Sequence, residues 1–415
     1  MRCRIIAAVV VLLFALPLLA ADWPHWRGPD RNDVSKETGL LKSWPKAGPK
    51  LLWTFDNAGI GFSGPAIVGE RLYTLGGRGD DEVLFALDIK TGKEVWSIKV
   101  GPLFTNAWGD GPRSTPTVDG DAVYALASRG DLVCVEAATG KKRWQLNLEK
   151  DLEGGVPYWG YAESPLVDGD RLICTPGGDK GTFAALDKKT GKVAWRSKDY
   201  KDGACYSSIV VAEVGGVRGY VNMTASGVAG VSARDGKLFW SAEVAFNSTA
   251  ICPSPIFRDN HVYVTSGYSA GCGLIKLSAA KNEISAEKVY ANKVMTNHHG
   301  GVVLVGDHLY GYCDSKGWVC QEFLSGKQVW ADKTLGKGSL TCADGRLYCY
   351  SEDDGTCVLV AAAPAGWTES GRFTIPRQTK IDRKSGAIWT HPVVANGRLY
   401  LRDNDLLFCF DVSGK

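Results

Sequence analysis

The chain has 415 residues, of which 45% are hydrophobic and 50 are glycines, and its formal net charge at pH 7 is +3. So small a charge, without any basic run, does not favour a nucleic-acid or anionic-membrane partner. The glycine content is typical of many short strands joined by tight turns, and the length suits one large domain built from repeats.

The first 21 residues have the three parts of an export signal. Arg2 and Arg4 provide the charged start, Ile5 to Leu19 form the apolar stretch, and two alanines follow. The stretch is short for a spanning helix. The neighbouring Cys3 precedes it, whereas a lipoprotein needs a cysteine after it. We therefore predict an exported, periplasmic or secreted protein that is not a lipoprotein and does not span the membrane after leader cleavage. A retained N-terminal anchor is the alternative.

A unit that recurs at intervals of about 40–50 residues organises the rest of the chain. The copies open with a Ser/Pro cluster and continue through a glycine turn, and the best of them end in Ala-x-Asp-x-x-Thr-Gly-x-x-x-Trp. The clearest copies of this ending run from Ala86 to Trp96 and from Ala185 to Trp195. Alternating apolar residues between such turns predict antiparallel strands joined by hairpins. A repeat of this size indicates the four-stranded blades of a β-propeller.

The number of blades follows from counting openers and outer strands. The openers lie near Ser63, Ser114, Ser164, Ser207, Ser254, His299, Ser339 and His391. The last copy has no outer strand of its own, but Gly48 to Trp53 resembles one. We therefore predict an all-β, eight-bladed β-propeller of four-stranded antiparallel blades, its last blade completed by the N-terminal strand, which removes two open sheet edges. A seven-bladed ring is the alternative.

A tryptophan ends the outer strand of most copies. A large aromatic side chain repeated at one strand position indicates packing between blades rather than ligand binding. We interpret these as structural docking residues: Trp53, Trp96, Trp144, Trp195, Trp240 and Trp330. The predicted domains are a signal peptide (1–21), an N-terminal arm that packs on the propeller (22–49) and the propeller itself (50–415).

The repeat that ends in Trp96 and Trp195 resembles the tryptophan-docking repeat of the pyrroloquinoline-quinone-like (PQQ-like, BamB-like) β-propeller family. The start, Trp23-Pro24-His25-Trp26-Arg27-Gly28-Pro29, and the end, from His391 to Asp403, are similar to those of exported members from planctomycete-type bacteria. The family includes quinoprotein alcohol dehydrogenases and non-catalytic scaffolds such as the BamB-like component of the outer-membrane assembly machine. The resemblance implies that the docking tryptophans are structural in both branches.

In a propeller, the loops before the innermost strands converge on one end of the central channel, which is the usual ligand site. The candidates for this channel mouth are Arg113, Tyr161, Glu163, Tyr206, His298, His299 and His391. Such a group could hold an anion, a metal or a proton-transfer pair. The adjacent His298 and His299 are not a metal signature, because neighbouring residues of a strand point to opposite faces. We assign no catalytic residue and no metal ligand.

The dehydrogenase branch implies features that this chain lacks. In those enzymes a disulfide between adjacent cysteines forms one wall of the cofactor site, and here there is no Cys-Cys pair and no Cys-x-x-Cys-His haem motif. We therefore expect no cofactor, and a non-catalytic scaffold that binds or assembles proteins of the periplasm or outer membrane.

Two alternatives use the same mouth. The first is a PQQ-dependent periplasmic alcohol or sugar dehydrogenase. There Glu163 would help to bind Ca²⁺, Arg113 would contact a carboxylate of PQQ, and a histidine would shuttle protons. The second is a small-molecule or glycan sensor.

Overall fold

The computed structural model describes residues 22–414, which form a ring of eight β-sheets without a helix. The prediction of an eight-bladed, all-β propeller is confirmed, and the seven-bladed alternative is wrong. In this part of the chain no helix is long and apolar enough to cross a membrane. The leader predicted for residues 1–21 lies outside the described residues.

Two strands come before blade 1 in the chain: β1 (Val34–Ser35) and β2 (Lys50–Phe55). Blades 1 to 4 contain β3 (Ala66–Val68), β4 (Arg71–Arg78), β5 (Asp81–Asp88), β6 (Glu94–Pro102); β7 (Thr117–Asp119), β8 (Ala122–Leu126), β9 (Asp131–Glu136), β10 (Lys142–Asn147); β11 (Leu166–Asp168), β12 (Arg171–Cys174), β13 (Ala184–Asp187), β14 (Val193–Arg196); and β15 (Val210–Val214), β16 (Val217–Thr224), β17 (Gly227–Ser232), β18 (Leu238–Ala242). Blades 5 to 8 contain β19 (Ile256–Arg258), β20 (His261–Ser266), β21 (Gly271–Ala280), β22 (Glu283–Asn292); β23 (Val302–Val305), β24 (His308–Cys313), β25 (Gly317–Glu322), β26 (Gln328–Asp332); β27 (Gly338–Ala343), β28 (Arg346–Ser351), β29 (Thr356–Ala361), β30 (Glu369–Thr374); and β31 (Val393–Ala395), β32 (Arg398–Asp403), β33 (Leu406–Asp411).

The two ends of the chain meet in blade 8. Strand β2 pairs antiparallel with β33, with Trp53 opposite Cys409 and Leu51 opposite Phe410. The sheet order is β2-β33-β32-β31, so the N-terminal strand is the outermost of the last blade, as predicted. Blade 7 differs from the prediction by one strand, because β1 adds to the inner edge of β27 in parallel.

The tryptophan of one blade covers the hairpin glycine of the next. Trp53, in blade 8, donates its indole N–H to Ile89 O at 2.8 Å, and a β-carbon added at Gly92 would lie 2.6 Å from its ring. The same contact between indole and glycine joins three further pairs: Trp96 with Gly140, Trp144 with Gly191, and Trp195 with Gly236. Trp96 and Trp144 also donate an indole N–H to the next blade, whereas Trp195 Nε1 has no hydrogen-bond partner. The Thr-Gly turn and the tryptophan of the repeat are therefore two sides of one contact between blades.

Two docking positions depart from this pattern. Trp240 is buried against Gly230 of its own blade, because blade 5 has no Thr-Gly turn to receive it. Trp330 donates to Ala363 O at 3.1 Å and packs edge-on against Trp367. Trp330 thus keeps an indole contact with the next blade, although with other partners.

The small residue before each docking tryptophan lies directly opposite it. Ala86 pairs with Trp96, Cys134 with Trp144, and Cys320 with Trp330 across adjacent strands. The eleven cysteines of the described residues are all free thiols, and nine of them are buried. Cysteine serves here as a small apolar side chain that leaves room for the indole.

The N-terminal arm passes through the inside of the ring. The backbone of Trp23 exchanges two hydrogen bonds of 2.7 Å with Ile67 of β3, and Pro24 O accepts from Val118 of β7 at 2.8 Å. Farther along, Asp33 O accepts from Cys342 of β27 at 2.8 Å. All three partners lie on innermost strands, so the arm contacts blades 1, 2 and 7 from the channel side.

Two buried arginines extend these contacts around the ring. Arg27 pairs with Asp33 at 2.7 Å and donates to the backbone oxygens of Ser254 and Val302. Arg31 donates to Ser164 O at 2.7 Å. Two cavities lie beside the arm. The first is at the channel mouth and has Trp26 in its wall. The second has Arg31 in its wall, together with residues of blades 3, 4 and 5. The arm therefore divides the channel.

Candidate ligand site at the channel mouth

The innermost strands are held together by a chain of serine hydroxyls, which explains the Ser/Pro openers. The backbone N–H of Thr115 donates to Ser164 Oγ at 2.9 Å, that of Ser164 to Ser208 Oγ at 2.9 Å, and that of Ser208 to Ser254 Oγ at 3.3 Å. These four residues therefore occupy equivalent positions in blades 2 to 5. The side chains just before them are brought together at the mouth.

A cavity of about 250 Å³ lies at this end of the channel. Five of the seven predicted site residues line it: Arg113, Tyr206, His298, His299 and His391. Aromatic side chains form much of the remaining wall: Trp26, Phe62, Trp108, Trp159, Tyr268 and Trp389. The structure thus brings side chains from widely separated parts of the chain into one site.

Tyr161 and Glu163 do not line the cavity. Tyr161 is buried and donates its hydroxyl to Pro176 O at 2.8 Å. The Glu163 carboxylate accepts from the Thr175 N–H at 2.6 Å and from its hydroxyl at 3.1 Å. Burial raises the pKa of Glu163 to about 8, although the nearby Arg31 acts in the opposite direction.

The strand register explains why Glu163 points away from the cavity. Arg113, Ala162, Tyr206 and Cys252 each lie two residues before a member of the serine chain, and all four line the cavity. Glu163 lies one residue before Ser164, so its side chain points to the other side of an extended backbone. The residue of this blade that faces the mouth is Ala162, one position before the predicted Glu163.

Arg113 is held by its own loop. Its guanidinium donates to Gly111 O at 2.6 Å and to Gly109 O at 2.8 Å, and it lies 5.3 Å from the ring centre of Phe62. Burial lowers its pKa below the ordinary value, but a guanidinium remains protonated at neutral pH. Carbonyl oxygens and an aromatic face therefore already surround this positive charge.

His298 uses both ring nitrogens within the protein. Its Nδ1 accepts from the Lys337 ammonium at 2.8 Å, so its Nε2 carries the proton and donates to the Tyr268 hydroxyl at 2.9 Å. Burial lowers its pKa to about 3, and the nearby Lys337 ammonium acts in the same direction. His298 is therefore neutral at physiological pH.

His299 forms a pair with Glu352. Its Nε2 lies 2.5 Å from Glu352 Oε2, which also accepts from the Trp389 indole at 3.0 Å. Burial lowers the pKa of His299. Burial acts to raise the pKa of Glu352, but the interactions with His299, Lys337 and Trp389 together outweigh it and lower the pKa. A neutral His299 thus donates from Nε2 to an ionised carboxylate, and its buried Nδ1 is an acceptor without a hydrogen-bond partner.

His391 connects the mouth to the arm. Its Nε2 donates to His299 O at 2.9 Å, its Nδ1 is 3.4 Å from Asp33 Oδ2, and its ring lies 4.6 Å from that of Trp26. The expectation that His298 and His299 would face opposite sides is wrong, because they lie in a loop rather than in a strand. Among residues 22–414 there is no group of three His, Cys, Asp or Glu side chains that could hold a metal ion.

Sequence reasoning missed several polar or aromatic contributors, among them Trp26, Phe62, Trp108, Tyr268, Lys337 and Glu352. Lys337 comes directly before β27, which is the position used to select the other candidates, so that rule would have found it. Glu352 follows the second strand of blade 7 instead, and Trp26 belongs to the arm. Neither Glu352 nor Trp26 occupies a position that recurs in the repeat, so the repeat pattern could not have indicated them.

The mouth does not fit a Ca²⁺-bound quinone. Calcium takes six to eight oxygen ligands, chiefly carboxylates and carbonyls. Glu163, the carboxylate that the dehydrogenase alternative assigned to the cation, is not among the lining residues. Glu352 is occupied by His299 and Trp389.

The sequence of this chain is similar to those of several known proteins. Residues 33–159 and 80–332 match a family model described as outer membrane protein assembly factor BamB. The factor of that name from Burkholderia pseudomallei (strain K96243) is 23% identical over 361 residues, which cover 79% of this chain and 86% of that protein. Polyvinylalcohol dehydrogenase from Sphingopyxis sp. (strain 113P3) is 26% identical over 193 residues, 43% of this chain and 28% of that one. For several curated relatives the chain spans only 20% to 44% of their length.

Solved structures show the same fold. BamB from Moraxella catarrhalis is similar with a TM-score of 0.62 at 15% identity, over 88% of this chain and 98% of that one. Quinohemoprotein alcohol dehydrogenase from Comamonas testosteroni has a TM-score of 0.64 at 13% identity, over 95% and 81%. Because the family model matches well over half of the chain, this protein belongs to the PQQ-like β-propellers of the outer membrane protein assembly factor BamB type.

Proposed function

We propose that this protein is an exported, non-catalytic scaffold that binds another protein through the rim of its channel mouth. The observation that carries the proposal is a set of exposed aromatic side chains on the loops around one opening. Tyr158 is 81% exposed, Trp108 49%, Tyr268 47% and Phe246 42%. Trp108 and Tyr268 line the cavity, and the ring of Tyr158 lies 4.5 Å from that of Trp159, which also lines it.

Exposed aromatic clusters of this kind are typical of protein-binding surfaces, where Trp and Tyr contribute most of the affinity. The names of the BamB relatives support a partner among proteins that assemble the outer membrane. The leader predicted for residues 1–21 would deliver the chain to that compartment. Neutral imidazoles and a carboxylate occupied by protein donors support binding rather than turnover.

Site-specific photo-crosslinking in the native host tests the surface. A crosslinker replaces Tyr158 or Phe246 in the loops around the mouth, and a control crosslinker replaces Phe257, which lines the second cavity, beside Arg31. We expect one envelope protein to be captured from both rim positions and not from Phe257. Replacement of Trp108 by alanine should lower that capture at least tenfold.

Equal capture from Phe257 and from the rim would overturn the assignment of the surface. The non-catalytic part is tested separately, by adding PQQ and Ca²⁺ to the purified protein and following dye reduction with alcohols and sugars. Turnover in that assay would contradict it.

A further inference from the structure

We propose that the cavity inside the mouth binds a neutral sugar ring. This inference goes beyond the proposed docking of a protein, because it concerns the interior of the cavity rather than its rim. It depends on two polar atoms that the protein leaves without partners, on the way charge is distributed around the cavity, and on its aromatic walls.

Three polar atoms of side chains that line the cavity are buried without a hydrogen-bond partner: the Tyr206 hydroxyl, His299 Nδ1 and His391 Nδ1. His391 Nδ1 lies 3.4 Å from the Asp33 carboxylate, so the first two remain for a ligand. A buried polar group that lacks a partner costs about 1–3 kcal/mol, so a ligand that completes both bonds gains affinity. His299 Nδ1 can only accept, because Nε2 holds the proton against Glu352. The Tyr206 hydroxyl can donate or accept. A ligand with hydroxyl groups supplies a donor to the first and either partner to the second.

The charges around the cavity favour an uncharged ligand. The Arg113 guanidinium is bound to two carbonyl oxygens of its own loop. The Lys337 ammonium contacts His298 at 2.8 Å and Asp314 at 3.2 Å. Both cations thus have partners, and a carboxylate ligand near the acceptor nitrogen of His299 and the ionised Glu352 would be repelled. A cationic ligand would meet Arg113.

The aromatic walls favour a saturated ring. Trp108, Trp159 and Trp389 lie in the wall of the cavity, and the faces of aromatic rings carry partial negative charge that attracts polarised C–H groups. A pyranose presents such groups on its faces and hydroxyls around its edge. The volume of about 250 Å³ is small for a ligand pocket, which favours one ring over an extended chain.

Saturation-transfer NMR with the full chain tests the inference. The probes are methyl glucopyranoside, methyl galactopyranoside and methyl mannopyranoside, each compared with sodium glucuronate and with phenol. We expect saturable binding of at least one neutral pyranoside, stronger than that of glucuronate or phenol. Tyr206→Phe should weaken it about five- to tenfold, the effect of one hydrogen bond.

The matched control is Tyr348→Phe, because the Tyr348 hydroxyl is also buried without a partner but belongs to the core between blades 7 and 8. This variant should bind like the wild type. Three outcomes would each overturn the inference. They are tighter binding of glucuronate or phenol than of the pyranosides, no binding of any pyranoside, and equal affinity of the Tyr206→Phe variant and the wild type. Circular dichroism of both variants shows whether a loss of binding reflects a loss of fold.

Discussion

The indole of Trp53 lies against Gly92, across the boundary between blades 8 and 1. Gly92 has φ +69, a conformation that favours glycine, and a β-carbon there would lie 2.6 Å from the indole. The glycine of the repeat therefore serves the turn of one blade and the side chain of its neighbour at once.

Gly92→Ala should lower the free energy of unfolding by about 2–5 kcal/mol, since backbone strain and overpacking add. Gly69→Ala is the matched control: Gly69 has φ +57, but a β-carbon there would meet nothing within 4 Å. We expect this control to lose only the strain, about 1 kcal/mol or slightly more. Urea unfolding followed by tryptophan fluorescence measures both. Equal losses would mean that the contact with Trp53 contributes little.

Arg27→Met should lower stability by about 3–5 kcal/mol, because it leaves the Asp33 carboxylate buried without its main partner. The side chains of this pair are 1% and 2% exposed. Lys36→Met provides the comparison, since Lys36 and Asp30 form a pair whose side chains are 60% and 50% exposed, for which about 0–1 kcal/mol is expected. Similar urea midpoints for the two variants would argue that the arm contributes little to the ring.

Glu163→Gln should change how stability depends on pH. Burial raises the pKa of Glu163 from 4.5 to about 8, so between these values the folded protein binds a proton that the unfolded chain has released. The stability that this group contributes is present below pH 4.5 and is lost as the pH rises through 8. Glutamine keeps the polar contact with Thr175 without ionising.

The Gln variant should therefore become more stable relative to the wild type between pH 5 and pH 9, by an amount on the order of several kcal/mol. Urea midpoints measured across that range provide the comparison. Parallel pH profiles for the two proteins would show that Glu163 does not titrate there.

His298 should remain neutral down to about pH 4. Its folded pKa of about 3 lies below the ordinary 6.5, so the folded state binds fewer protons than the unfolded chain. Its contribution to stability is lost as the pH falls below 6.5. Heteronuclear NMR of the imidazole nitrogens measures this directly. Titration near pH 6.5 would contradict the buried contacts with Lys337 and Tyr268.

The repeat made the ring predictable. The residues from Ala86 to Trp96 contain a strand, a turn and a docking indole, and the same contacts recur wherever that pattern recurs. The outer strand missing from the last copy, together with its likeness to the segment ending in Trp53, was enough to predict closure. Such local, repeated information needs no knowledge of the three-dimensional structure.

The site was less predictable, because it depends on contacts between segments that do not repeat. Glu352 reaches His299 from another blade, and Trp26 comes from the arm. For Glu163 the position in the chain was nearly correct, but a change of one residue reverses the side of an extended backbone. Alternation of this kind is visible only after the partners of Ser164 and Ser208 are known.

The pairing of β2 with β33 also has a consequence for biosynthesis. Strand β2 is made before blade 1 but belongs to blade 8, which is made last. The edge of β2 therefore has no partner until β33 has been synthesised. A chain that stops before Leu406 would retain this exposed edge, which invites pairing with other chains. The pairing of β2 with β33 should therefore distinguish complete chains from truncated ones during folding and export.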